Sequence, residues 1–182
     1  MSKYKVLLCT ALLFPFASLT HAADPANLSD QQGLITFIGE LTDETCEIAG
    51  EKSFNVMLPK LSTTTFKQAG IEAGSREFQI SVKNCSSTLK NVAVHFEAVG
   101  GSDKDGITGN LKNSLTGVNT AAKNIQVRLY QEKKQIRLGE TSTAVPLVDN
   151  AATMTFAGGY YSTGQATAGN VQAKAIYTIA YP

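Results

Sequence analysis

The stretch AKAIYTIAYP, residues 173–182, reads as a β-strand. Ala173, Ala175, Tyr177, Ile179 and Tyr181 recur at every second position, the period at which a strand turns one row of side chains to one face. With Val171 ahead of them they form the last strand of the sequence, and no later segment remains to cover its outer edge. Such an edge presents unpaired N–H and C=O groups, and when it is apolar it templates aggregation unless another strand pairs with it. At the opposite end, GLITFIGEL, residues 33–41, is β-branched and aromatic and follows a polar leader, ADPANLSDQQ, residues 23–32. Its apolar positions Leu34, Ile35, Phe37 and Ile38 do not alternate cleanly, so the pattern alone leaves the buried face open. One end wants a strand and the other has one to offer.

Between the ends, strand candidates follow one another with Gly, Asn, Asp and Ser stretches between them. Phe54, Val56 and Leu58 alternate, as do Phe78, Ile80 and Val82 just before Cys85, and Val92, Val94, Phe96 and Ala98 ahead of the turn Gly100–Asp103. Ile125, Val127 and Leu129 form another candidate, and Met154 with Phe156 a further one. Seven or so strands with this spacing predict an all-β sandwich. The best helical candidate, Thr64–Ala73, is Thr-rich at its start and interrupted by Gly70, which limits it to one or two turns.

Residues 1–22, MSKYKVLLCTALLFPFASLTHA, read as a cleaved secretory peptide: Lys3 and Lys5 supply the positive n-region, Val6–Ala17 the apolar core, and Thr20 with Ala22 the small-x-small cleavage signal. That core is shorter than the about 20 residues a spanning helix needs. Cleavage turns 16 basic and 15 acidic residues into 14 and 15, a net charge near −1, without the basic excess of a nucleic-acid binder. It also leaves a single His, His95, and two Cys, Cys46 and Cys85, 39 positions apart. In an oxidising compartment these two are most simply one disulfide. Closing such a loop stabilises a fold by about 4 kcal/mol on the chain-entropy model.

The chemical inventory is poor in enzyme signals. No G-x-S-x-G, H-E-x-x-H or phosphate-binding Gly-x4-Gly-Lys pattern occurs. Asp103 and Asp105 sit in a turn without the closing Glu of a calcium loop. Tyr160 and Tyr161 are adjacent, so they face opposite sides of a strand and read as packing rather than as a sugar platform. His95 alternates with Val94 and Phe96 and reads as solvent-facing. No enzyme activity, metal, cofactor or small-molecule substrate is expected.

With these residues in view, the chain resembles the structural pilin subunits of chaperone/usher fimbriae, the type 1 pilin group in particular. The matching features are Phe37-x-Gly39 with Cys46 seven residues on, the block Phe78-Gln79-Ile80-Ser81-Val82-Lys83-Asn84-Cys85, and the closing region from Tyr160-Tyr161-Ser162-Thr163-Gly164 to Tyr181. There Gly169 is fourteenth from the end and Tyr181 penultimate. Gln32 before Gly33 and the terminal Pro182 depart from the usual pattern. The resemblance implies an incomplete immunoglobulin-like sandwich lacking its final strand, which another molecule supplies.

On that resemblance, residues 1–22 are the signal peptide, 23–41 an N-terminal extension acting as donor strand, and 42–182 the pilin domain. Gly33, Ile35, Phe37, Gly39 and Leu41 would enter a neighbour's groove, and Gly169, Val171, Ala173, Ala175, Tyr177, Ile179 and Tyr181 would form the accepting strand. The implied partners are a periplasmic chaperone, an outer-membrane usher and neighbouring pilin subunits, with export through the periplasm to a cell-surface fimbrium that supports adhesion. The rival expectation is a self-contained exported immunoglobulin-like module that binds glycan or protein.

Overall fold

The computed structural model describes residues 29–43, 45–115, 117 and 119–182; the expected export segment and residues 23–28 lie outside the described residues. The chain divides into a unit Met1–Leu41 and a unit Thr42–Pro182. In the first unit, residues 33–41 form no strand and every side chain is exposed, Ile35 to 76%, Phe37 to 93% and Leu41 to 100%.

The second unit is all-β: β1 Glu47–Ala49, β2 Glu72–Lys83, β3 Asn91–Ala98, β4 Leu111–Lys112, β5 Ile125–Gln131, β6 Lys134–Ile136, β7 Val145–Pro146, β8 Ala152–Ser162 and β9 Ala175–Ala180. All strand pairings are antiparallel. One sheet runs β1-β2-β8-β5-β4, with β6 beside β5, and the other runs β7-β3-β9. Alternation puts Ile80 and Val82 of β2, Val92, Val94 and Phe96 of β3, Leu129 of β5 and Met154 and Phe156 of β8 into one core between the sheets. Phe156 links them, with its ring centroid 5.1 Å from Phe96 in a T-shaped contact and 5.8 Å from Phe78. Each such side chain contributes about 1.5–3 kcal/mol by leaving water. The expected disulfide Cys46–Cys85 is present and ties the chain just before β1 to the end of β2.

Several elements differ from the sequence reading. Phe54, Val56 and Leu58 lie in a run, 54–62, that follows a bend at Lys52 and Ser53 and pairs with no strand among the described residues; it borders an open groove instead. The helical candidate shrinks to a 3₁₀ turn at Thr63–Thr65, N-capped by Ser62, whose Oγ accepts from Thr64 N at 3.2 Å; Glu72 and Ala73 already belong to β2. His95 is half-buried rather than fully solvent-facing, with Thr141 Oγ1 3.3 Å from Nδ1. Asp105 is an organiser rather than merely a solvated acid: it accepts from Thr108 N at 2.8 Å and from Ile107 N at 3.1 Å. The Thr108 backbone bond, above all, holds the Asp105 carboxyl below its ordinary value.

Candidate functional site: the groove beside β9

β9 is the last strand of its sheet. It pairs with β3, Ala93 opposite Ala180 through Ala98 opposite Ala175, and no other strand among the described residues pairs with its second edge. Facing that edge across a groove of about 680 Å³ runs the unpaired segment 52–58. The walls are therefore Val171–Tyr177 on one side and Lys52–Leu58 on the other. Phe78, Val127, Leu129 and Tyr160 from the larger sheet and Phe96 from the smaller one reach into it. Gly158, on the inward row of β8 between Phe156 and Tyr160, adds no side chain to the floor and deepens the groove.

Two hydroxyls, one on β9 and one just after it, hold the end of the chain to the segments across from it. Tyr177 Oη donates to Lys52 O at 3.0 Å, and Tyr181 Oη accepts from Cys46 N at 2.9 Å. Phe54 extends the contact, with its ring centroid 6.3 Å from Tyr177 and 5.7 Å from Phe78. Burial raises the pKa of both Tyr160 and Tyr177 above the ordinary phenol value, so the floor and the β9 wall both keep neutral hydroxyls. Behind Tyr160 and Val171 a second small cluster, Phe66, Ile125 and Ala166, backs the groove with apolar packing.

The expected accepting row is only partly buried. Ala173, Tyr177, Ile179 and Tyr181 pack against the main core and Val171 against the second cluster, whereas Ala175 is exposed and lines the groove. Gly169 has a separate structural task. A Cβ there would lie 2.4 Å from Ala122 N and 2.5 Å from Ala121 C, so only glycine lets the chain pass the 120–122 backbone on its way to β9. The neighbouring crossover is pinned by Asn113, whose Oδ1 accepts from Gln172 N at 3.0 Å and whose Nδ2 donates to Asn170 O at 3.0 Å. Sequence reasoning missed the opposite wall, Lys52–Leu58, and the floor residues Val127 and Tyr160 as groove members. The one signal available was Gly158-Gly159 inside an otherwise strand-like run.

Tyr160 and Tyr161 point to opposite faces, as adjacent strand residues must. Tyr161 lies under the Arg128 guanidinium, 3.8 Å from ring centroid to Cζ, on the outer face. Arg128 also pairs with Glu72, which accepts from Tyr130 Oη at 2.9 Å. This network has its own partners and lies apart from the groove. Chemically, the groove offers an unpaired backbone edge over apolar sockets, the requirements for adding an extended segment as a strand.

The family model described as Fimbrial protein matches residues 35–182 of this chain. The chain belongs to the fimbrial protein family. This fimbrial subunit is 37% identical over 172 residues to the Major fimbrial subunit SMF-1 of Stenotrophomonas maltophilia, a span covering 88% of this chain and 98% of the relative. It is 33% identical over 180 residues to the F17 fimbrial protein of Escherichia coli, covering 92% of this chain and 97% of the relative. Among solved structures it resembles the P pilus rod subunit PapA with a TM-score of 0.59 at 17% identity, over 75% of this chain and 99% of that one, a likeness of fold. The protein is thus a structural subunit of cell-surface fimbriae with an immunoglobulin-like sandwich.

Proposed function

We propose that the groove beside β9 is completed by residues 33–41 of a neighbouring subunit, so that the fimbrium grows by donor-strand exchange and supports cell adhesion. The observation that carries this is the pairing of an unfilled apolar groove along a free strand edge with an exposed, strand-competent apolar segment in the same sequence. In the register adopted here Gly33, Ile35, Phe37, Gly39 and Leu41 face the floor, since alternate residues of a strand share a face. Val171, Ala173, Ala175, Tyr177, Ile179 and Tyr181 are the strand that accepts them, with Gly169 setting its approach. Burial of Ile35, Phe37 and Leu41 contributes about 1.5–3 kcal/mol each, beyond the backbone ladder that satisfies the β9 edge.

Residues 1–22 direct export, 23–41 form the extension and 42–182 the pilin domain. Before assembly a periplasmic chaperone lends the missing strand beside β9, and an outer-membrane usher exchanges it for the next extension as the subunit passes from periplasm to surface. The protein acts without enzymatic activity. The free edge of β9 favours this reading over a self-contained binding module, which has no use for an open ladder. Removing residues 23–41 tests it: the shortened chain is expected to bind chaperone in a soluble one-to-one complex and to form no polymers. Persistent polymers overturn the donor assignment.

A further inference from the structure

The groove rim carries charge of one sign. Among the residues that line it, the charged ones are Lys52 and Lys174, one on each wall and both exposed. Lys52 stands where Tyr177 Oη meets the opposite wall; Lys174 precedes β9, its stem and ammonium lying along the turn at Gly100, from which an exposed, flexible side chain can swing to the rim. The extension has the opposite character. From Asp30 to Glu51 the sequence contains Asp30, Glu40, Asp43, Glu44, Glu47 and Glu51 and neither Lys nor Arg. Within 33–41 the single ionisable side chain is Glu40. With Gly33, Ile35, Phe37, Gly39 and Leu41 turned to the floor, Glu40 belongs to the other row, with Leu34, Thr36 and Ile38, and so faces the rim.

We propose that Lys52 and Lys174 form an electrostatic docking element that captures the Glu40 carboxylate of the incoming subunit and thereby speeds strand entry. This rests on the donor-strand reading above and adds what selects the donor. Exposed ion pairs contribute little to final affinity, whereas complementary potentials accelerate encounter and penalise wrong partners. The effect therefore belongs to the rate of assembly and to the choice between extensions, while apolar burial holds the finished joint. The two lysines also read the direction of the donor. A strand antiparallel to β9 with Leu41 beside Val171 puts Glu40 opposite Gln172, two positions from Lys174 and within diagonal reach of its long side chain, and the reverse orientation brings it to the Tyr177 end, towards Lys52.

The experiment follows self-association of the purified full chain by light scattering, with a chain lacking residues 33–41 as control. Raising ionic strength from about 0.01 to about 0.15 M cuts the screening length from about 30 to about 8 Å, so the wild-type rate should drop about tenfold. K52E/K174E should lose about tenfold or more at low salt and reverse its salt dependence, since two acids then face Glu40 and added salt relieves their repulsion. E40K should slow assembly equally, and combining it with the double reversal should restore the rate. Single reversals combined with E40K identify the lysine that Glu40 meets. Thermal unfolding verifies that the variants fold, and K52Q/K174Q, with an intermediate loss expected, repeats the test without added acid. Wild-type rates in K52E/K174E and K52Q/K174Q, or no recovery in the triple variant, overturn the docking element. If the control lacking 33–41 assembles like wild type, the donor-strand reading itself fails, a separate outcome.

Discussion

The hydroxyl of the penultimate residue, Tyr181, accepts a hydrogen bond from the backbone N–H of Cys46 at 2.9 Å, joining the end of the chain to the half-cystine 135 positions earlier. Both residues pack against the core, so the N–H has poor access to water if the acceptor is lost. Tyr181→Phe keeps the ring and deletes the acceptor. It is expected to cost about 1–3 kcal/mol, read as a lower denaturant midpoint at unchanged slope.

The bridge between Cys46 and Cys85 spans 39 residues and anchors both that contact and β1. Replacing both Cys by Ser should remove about 2–5 kcal/mol and reduce the yield of exported protein. Periplasmic and surface amounts of the variant, compared with wild type by quantitative blotting, check this; equal amounts argue against a stabilising bridge.

Gly169→Ala places a methyl group 2.4 Å from Ala122 N and 2.7 Å from Thr120 O, both backbone atoms that yield only if the connection between β4 and β5 shifts. Overpacking of this kind costs about 1–3 kcal/mol. A lowered melting temperature together with weaker chaperone binding is expected, because the same shift displaces the approach to β9.

Gly39 gives the opposite result. No atom lies within 4 Å of a Cβ built there, so Gly39→Leu should leave the stability of the single subunit unchanged. In the register of a donor strand the new side chain faces the neighbour's floor and blocks fibre growth. Phe37→Ala should permit growth but make joints that part at lower denaturant, by about 3–5 kcal/mol per joint. Electron microscopy of sheared filaments and denaturant dissociation distinguish the two variants.

Alkali should loosen the groove wall. Burial raises the pKa of Tyr177 and Tyr160 in the folded chain above the unfolded value of about 10. The native state therefore holds phenolic protons that the unfolded chain releases first. This stabilisation is fully present below pH about 10 and is lost as pH rises through the folded pKa values. Ionised Tyr177 also loses the proton it donates to Lys52 O. Spectrophotometric tyrosine titration should show late-ionising groups whose release coincides with unfolding, and Tyr177→Phe should remove part of that late phase.

Periodicity sufficed for the strands that carry the core. Phe78, Ile80 and Val82 of β2, Val92, Val94 and Phe96 of β3, Ile125, Val127 and Leu129 of β5 and Met154 and Phe156 of β8 are large and apolar at every second position, and burial of those rows leaves little freedom in register. The two Cys and the open terminal strand were readable for the same reason: they depend on residue type and order along the chain. Phe54, Val56 and Leu58 misled because alternation marks a side that is apolar, not a backbone that is paired, and their run borders the groove. Nor does one dimension reveal that Lys52 lies across from Tyr177, that Asn113 clasps Gln172, or that Gly158 hollows the floor. Those depend on distances between segments up to 125 positions apart, which are set when two sheets pack face to face. Local pattern states which residues leave water; the packing of the sheets settles which of them meet and where a space is left for a strand from outside.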